Sequence, residues 1–184
     1  MNEKIPSPEE ALDILQRMGC SKKVIAHCKA VSTLSVNFAK KCEKKGVKID
    51  IKLVEVGALL HDIGRSKTHN INHAVVGSQI AKSLKLSKSI IAIIECHIGG
   101  GISSDEAKKL GLPIKDYFPE TLEEKIVAYA DKLIEGAKVV SIKDAINDLV
   151  KKLGVTHPAI ERIKKLHEEL SPMIGDSNPN SYSS

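Results

Sequence analysis

Ionisable side chains on otherwise apolar helix faces constrain the fold of this 184-residue chain more than any other feature. His61 and Asp62 are adjacent at the end of an apolar helical segment, and further His and Asp residues lie along the chain on both sides. Adjacent side chains do not share one helix face, so both turn inward only if a common partner attracts them. A divalent metal ion is such a partner, because it binds both imidazole nitrogen and carboxylate oxygen.

The sequence predicts a succession of helices separated by short breaks. Ser7-Pro8-Glu9-Glu10 and Thr121-Leu122-Glu123-Glu124 have the pattern of a capping box. Gly19, Gly46 and Gly111 mark helix ends. No segment alternates convincingly between apolar and polar residues, so we predict an all-α fold, a compact single-domain helical bundle. The predicted helices begin after Ser7 and then cover roughly 21–46, 50–62, 72–84, 87–97, 103–111, 121 through Asp131, 142–153 and 157–170.

The chain is long enough to bury the core of one domain. We expect residues 1–20 to form an N-terminal helix that packs on this core and residues 21–170 to form the main domain. The stretch 171–184 is rich in Ser, Asn, Pro and Gly and is expected to be a flexible C-terminal tail.

Composition excludes several classes of protein. Aromatic residues make up 3% of the chain and Trp is absent, which disfavours a base-stacking surface for single-stranded nucleic acid. The net charge of +5 suits an anionic substrate, but the lysines are scattered and form no recognition helix, so nucleic acid is not an expected partner. No apolar run is long enough to predict a membrane span. The four cysteines form no C-x-x-C pair and no secretory signal precedes them, so we expect free thiols and a cytoplasmic location.

Each candidate metal ligand lies on an apolar helical face. His27 lies between apolar residues, Asp62 follows an apolar run, His97 follows an isoleucine-rich segment, and Asp131 is in register with Val127. Taken singly, each has an ordinary explanation, because a core His commonly bonds a backbone carbonyl and a buried Asp commonly pairs with a Lys. Taken together, two buried carboxylates need a cation, since an uncompensated buried charge costs roughly several kcal/mol. A metal ion bound by the carboxylates and imidazoles resolves the conflict.

These residues resemble a known family. His27, the run His61-Asp62-Ile63-Gly64 and Asp131 resemble the H…HD…D pattern of the HD-domain metal-dependent phosphohydrolases, over about residues 20–140. His73-Ala74-Val75-Val76-Gly77 resembles the HxxxG segment of members with two metals, and the His97 segment resembles the later His of those members. The layout is most similar to small stand-alone HDIG proteins and to HD-type hydrolases of symmetric dinucleoside tetraphosphates. The resemblance therefore implies an HD-type helical bundle for the main domain.

The resemblance also implies a ligand set and a reaction. It implies one or two divalent ions, with Fe, Mn, Co, Ni, Zn and Mg all open, and hydrolysis of a phosphoester by a metal-activated water. The first ion would be held by His27, His61, Asp62 and Asp131, and the second by His73 and His97 with Asp62 bridging.

Other residues near this pattern are candidates for substrate contacts. Asp62 and Arg65 are the predicted catalytic residues, and the resemblance implies a phosphate contact for Arg65, although a surface Arg at a helix end is equally compatible. His69 and Lys132 are candidate substrate-binding residues, and His69 is also an alternative to His73 as a ligand. Cys96 is a further candidate as a soft ligand.

The sequence thus predicts a phosphohydrolase for a nucleotide or another small phosphoester. Monoester, diester and diphosphate cleavage all remain open. Cys96 replaces the first His of the HD-GYP pattern, and Gly99-Gly100-Gly101-Ile102 makes no GYP motif, so activity on cyclic di-GMP is not implied. The alternative is a non-catalytic HD module that binds a nucleotide or a partner protein. A homodimer is kept open as the assembly.

Overall fold

The computed structural model describes residues 4–175 and confirms the all-α fold. Within this range the chain forms nine α-helices, two short 3-10 turns and one small hairpin. The helices are α1 (Pro8–Arg17), α2 (Lys22–Lys44), α3 (Ile51–Leu60), α4 (His73–Ser83), α5 (Lys88–Cys96), α6 (Ser104–Lys109), α7 (Leu122–Lys132), α8 (Ile142–Leu153) and α9 (Pro158–Ile174). None of the helices in this described part has the length and apolar character needed to cross a membrane.

Local capping explains where several helices begin. At α1, the Ser7 hydroxyl accepts from the Glu10 amide and the Glu10 carboxylate accepts from the Ser7 amide, which completes the predicted capping box. The predicted box at α7 is only half formed. Thr121 accepts from the Glu124 amide, but the Glu124 carboxylate accepts from the amide of Glu120 at 2.8 Å. The reciprocal bond has therefore moved by one residue.

A two-stranded antiparallel hairpin follows α7 and was not expected from the sequence. Its strands are β1 (Ile134–Glu135) and β2 (Lys138–Val139), and Gly136 occupies the turn with a positive φ of 64°. Strands of two residues are too short to show the alternation that predicts a strand. The hairpin matters because it lies directly after the helix that carries Asp131.

The two larger of the three apolar clusters among the described residues hold the bundle together. One cluster joins α2, α3, α7 and α9, and Phe38 and Tyr129 are its largest fully buried side chains. The other joins α1, α3 and α5, with Ala11 and Leu15 of α1 completely buried. Because α3 belongs to both clusters, the residues at its C-terminal end lie deep within the protein.

The C-terminal helix extends further than the sequence indicated. Residues 171–174 are helical rather than part of a tail, because Ile174 continues the apolar stripe of Leu166 and Leu170, and all three side chains are buried. The rest of the expected tail, residues 176–184, lies outside the described residues. His167 in the same helix is half-buried, and its Nδ1 atom lies 2.7 Å from the hydroxyl oxygen of Tyr129.

A close backbone contact fixes the segment after α3 against α4. A β-carbon at Gly64 would overlap the carbonyl oxygen of His73 and lie 2.7 Å from the amide nitrogen of Gly77. Since backbone atoms cannot move aside as a side chain can, only glycine fits here. The contact holds the residues that follow Asp62 against the first turn of α4, which begins with His73.

We expect Gly64→Ala to lower the free energy of unfolding by about 3 kcal/mol or more, at the upper end of overpacking penalties. Denaturant unfolding followed by circular dichroism measures this change. Gly46→Ala is the matched control, because nothing lies within 4 Å of the added carbon, and its positive φ alone should cost about 1–2 kcal/mol. Equal losses for the two variants would contradict the proposed contact.

Candidate metal centre

Six predicted ligands from five helical segments meet in one place. Both His61 and His97 directly follow the last residue of their helices, α3 and α5, and His73 is the first residue of α4. The other three ligands are His27 in α2, Asp62 directly after His61, and Asp131 in the last turn of α7. The full set is His27, His61, Asp62, His73, His97 and Asp131.

The first part of the centre surrounds Asp131. The Oδ1 atom of Asp131 lies 3.0 Å from His27 Nε2 and 3.5 Å from His61 Nε2. The Oδ2 atom of Asp62 lies 3.8 Å from His61 Nε2 and 4.0 Å from His27 Nε2. Two imidazoles and two carboxylates thus face one small volume.

The second part of the centre uses the other oxygen of Asp62. Its Oδ1 atom lies 3.2 Å from His73 Nε2 and 3.5 Å from His97 Nε2. The two Nε2 atoms of His73 and His97 are 3.1 Å apart. Asp62 therefore stands between the two parts and presents one oxygen to each.

The four histidines of the centre share one hydrogen-bond pattern. In each ring Nδ1 donates to a backbone carbonyl, and because a carbonyl only accepts, Nδ1 must carry the proton. The neutral ring then presents the Nε2 lone pair to the interior of the centre, as a metal-binding His does. The pairs are His27 with Gly136 (2.9 Å), His61 with Ala58 (2.7 Å), His73 with Asn70 (2.7 Å) and His97 with Ile94 (2.8 Å).

Both carboxylates are held in the charged form. Burial alone would raise the pKa of Asp62, but His61, His73 and His97 hold it below its ordinary value. Burial opposes ionisation of Asp131 as well, yet Lys132 and the neighbouring histidines hold its pKa well below the usual range. The centre therefore contains two buried negative charges that require positive partners.

The histidines respond to these charges in different ways. Burial lowers the pKa of His97 to about 4 despite the opposing effect of Asp62, so this ring is neutral near pH 7. Burial would also lower the pKa of His61, but the carboxylates of Asp62 and Asp131 raise it above its ordinary value. The carboxylates of Asp62 and Asp131 thus favour a positively charged partner at the His61 ring.

A divalent metal fits this donor set. His61 Nε2 and Asp62 Oδ1 are buried and have no hydrogen-bond partner, although buried polar atoms are normally satisfied. The donor atoms of His27, His61 and Asp131 all lie within 4.8 Å of one another, as do those of His61, Asp62 and His97. Ligand distances of about 2.0–2.2 Å place donor atoms up to roughly 4 Å apart, so small side-chain movements complete such a site.

Two basic side chains contact the carboxylates from outside. The Nε atom of Arg65 donates to Asp62 Oδ2 at 2.6 Å, and Lys132 Nζ lies 3.1 Å from Asp131 Oδ2. Each basic group orients a carboxylate that faces the histidines. The terminal nitrogens of Arg65 are not used in its bond to Asp62, and the side chain is about one-third exposed.

The remaining candidates lie away from the donor atoms. His69 is exposed, and the structure brings His73 rather than His69 to Asp62. Cys96 is buried beside the carboxylate of Glu124, with 3.8 Å between Sγ and Oε2, and burial raises the pKa of its thiol. Neither side chain belongs to either group of donor atoms described above.

Sequence reasoning missed the backbone carbonyls that orient the rings. Three of them come from the residue three positions before the His, which is the reach expected at a helix end. The fourth, Gly136, lies 109 residues after His27, in the hairpin. No local pattern could have identified this partner.

Comparison with known proteins agrees with this geometry. A family model described as "HD domain" matches residues 24–136, more than half of the chain. The chain is a member of the HD-domain family. The HD-domain chain is 49% identical over 166 residues to the uncharacterized protein MJ0778 of Methanocaldococcus jannaschii, covering 90% of this chain and 98% of that protein.

The chain is also similar to part of a longer protein and to a solved HD-domain structure. The chain is 44% identical over 171 residues to a tRNA (cytidine(56)-2'-O)-methyltransferase of Picrophilus torridus, covering 93% of this chain but 48% of that protein. It therefore spans about half the length of this relative. The HD domain of the L. monocytogenes phosphodiesterase PgpH, solved with cyclic-di-AMP, has a TM-score of 0.56 and 18% identity, covering 91% of this chain and 98% of that chain. This second likeness concerns the fold alone.

We expect His73→Ala to lower the metal content of the purified protein from about two ions per chain to about one, because it removes a donor beside Asp62 Oδ1. Elemental analysis of protein prepared without chelators measures the content. His69→Ala is the matched control and should retain both ions. An unchanged content in His73→Ala would refute the second metal position.

Proposed function

We propose that this HD-domain protein is a metal-dependent phosphohydrolase that acts on a nucleotide or another small phosphoester. The observation that carries the proposal is the convergence of four histidine Nε2 atoms and two carboxylates. Two of these donor atoms, His61 Nε2 and Asp62 Oδ1, are buried without a hydrogen-bond partner. Membership of the HD-domain family supports the same class of reaction. The substrate is assigned only to this broad class.

The six ligands and the two neighbouring basic residues would have different roles in the reaction. Divalent ions held by the six ligands would supply Lewis-acid activation of water and of the phosphate. Asp62 would contribute to both metal positions because its two oxygens face different histidines. Arg65 would bind a phosphate oxygen with its terminal nitrogens while its Nε keeps Asp62 in place. Lys132 would hold Asp131 rather than contact the substrate, because its ammonium already pairs with that carboxylate.

A substrate can reach the centre from solvent. An open cavity of about 410 Å³ is lined by His27, Asp62, Arg65 and His69. Its size suits a small ligand, and the basic side chains suit an anionic one. A small phosphorylated substrate is therefore favoured over a protein partner, and homodimer formation stays a prediction.

The relatives favour two kinds of phosphoester. PgpH is a phosphodiesterase whose HD domain binds cyclic-di-AMP, which supports a nucleotide as the substrate here. The Picrophilus relative, about half of which this chain matches, is named for modification of tRNA, which supports RNA as a second candidate substrate; the phosphoester would then be the phosphate group at an RNA end. Both candidates use the same centre and differ only in the length of the nucleic acid attached to the phosphate.

We expect Asp62→Asn to reduce phosphoester hydrolysis at least about 10³-fold, because loss of metal-dependent stabilisation worth several kcal/mol corresponds to such a factor. Release of phosphate or of nucleotide would be measured with manganese-loaded protein on mononucleotides, cyclic mononucleotides and RNA oligonucleotides that carry a terminal phosphate. Asp13→Asn, an exposed carboxylate paired with Arg17, is the control.

The outcomes separate the alternatives. Turnover of mononucleotides that is lost in Asp62→Asn supports the nucleotide assignment, and turnover confined to oligonucleotides supports the RNA end. Nucleotide binding without turnover by the wild-type protein would instead identify a non-catalytic HD module and overturn the proposed enzyme.

Arg65→Gln tests the phosphate contact separately. We expect kcat/KM to fall about 10- to 100-fold, since hydrogen bonds to charged groups contribute about 1.5–3 kcal/mol. Metal content should remain that of the wild-type protein. A parallel loss of metal and activity would show that Arg65 acts only by positioning Asp62.

A further inference from the structure

Two cavities meet at the candidate metal centre and share His27, Arg65 and Gly136. We call the first the α2 cavity, because it lies at the start of α2 and is also lined by Ser21 and Lys23. We call the second the α8 cavity, of about 260 Å³, because one of its walls is α8. The hairpin turn at Gly136 borders both cavities.

The two cavities differ in charge. Apart from the ligand Asp62, the ionisable side chains that line the α2 cavity are all basic or imidazole groups: Lys23, His27, Arg65 and His69. The α8 cavity contains more carboxylates than ammonium groups. The charged and ionisable residues that line it are His27, Arg65, Asp131, Lys132, Glu135, Asp144, Asp148 and Lys152.

The lysines of the α8 cavity do not make it attractive to an anion. Lys152 pairs with Asp148 at 2.7 Å and Lys132 pairs with Asp131 at 3.1 Å, so both ammonium groups already have carboxylate partners. Glu135 and Asp144 then add negative charge to the same cavity. A phosphate group beside the metal centre is therefore directed away from the α8 cavity by like-charge repulsion.

The α2 cavity has free positive and hydrogen-bonding groups. Within residues 4–175, neither Lys23 nor His69 has an ion pair or a side-chain hydrogen bond, whereas Arg65 is already bonded to Asp62. The 23-residue helix α2 begins at this cavity, and its N-terminal partial charge adds to that of Lys23. Asp62 lines the same cavity as these groups.

We propose that the natural ligand carries two phosphate groups, one at the metal ligands and the second in the α2 cavity between Lys23 and His69. The inference rests on the proposed function for the first phosphate. It deepens that function by selecting a diphosphate or polyphosphate compound over a simple monoester. Lys23 and His69 are then specificity-determining residues for the second phosphate, and they bind it without being metal ligands.

Equilibrium dialysis with radiolabelled pyrophosphate and orthophosphate tests the proposal directly. The manganese-loaded protein is dialysed with the same free Mn²⁺ on both sides, so that metal binding by the probes is matched. We expect the wild-type protein to bind pyrophosphate at least about tenfold more tightly than orthophosphate, as one additional charge-assisted contact provides. Lys23→Gln and His69→Gln should each reduce this preference about three- to tenfold.

Lys22→Gln is the matched control, because Lys22 is the adjacent lysine and does not line the α2 cavity. It should retain the full preference for pyrophosphate. Both lysines are exposed, so neither substitution should alter thermal unfolding by circular dichroism. Equal binding of the two probes by the wild-type protein, or equal effects of Lys22→Gln and Lys23→Gln, would overturn the proposal.

The second phosphate site and the hydrolytic activity are tested by different results. Hydrolysis of phosphoesters without a preference for pyrophosphate would refute the second phosphate site and keep the enzyme. A preference for pyrophosphate that depends on Lys23, without turnover of any phosphoester, would keep the two-phosphate site and refute the enzyme.

Discussion

The burial of two ionised carboxylates among four histidines is the constraint on which the rest of the structure depends. Asp62 and Asp131 lie where an isolated negative charge would be strongly destabilising, and each is surrounded by imidazoles and by one basic side chain. The bundle satisfies this constraint by bringing five helical segments to one point. Backbone carbonyls then fix the proton of every ring on Nδ1 and leave Nε2 directed inward.

Much of this arrangement could be predicted from the sequence, because it follows local rules. The helices and most of their caps are encoded by Ser, Thr, Pro and Gly at their ends. The structure corrects the predicted placement on helix faces for three ligands, because His61, Asp62 and His97 lie just beyond the ends of α3 and α5. The spacing of His73 to Gly77 favours His73 over His69 as a ligand. The structure places His73 beside Asp62 and leaves His69 exposed.

The parts that could not be predicted depend on contacts between distant segments. The hairpin after α7 has too few residues to show a strand pattern, and its Gly136 carbonyl reaches His27 from 109 positions away. The half-formed cap at Thr121 arises because the Glu124 carboxylate lies next to the Glu120 amide. The charges of the two cavities likewise depend on how α2, α8 and the hairpin are placed around the centre.

The separation of the ligands along the chain has a consequence for how the protein acquires its metal. His27 and Asp131 lie 104 residues apart, and their contact forms only after α2 and α7 have docked. In a chain growing on the ribosome, the part of the centre around Asp131 is therefore incomplete until α7 has emerged, whereas His61, Asp62, His73 and His97 all precede α7. A metal ion that needs both His27 and Asp131 would therefore bind only after α2 and α7 have docked, so its binding would report completion of this part of the fold.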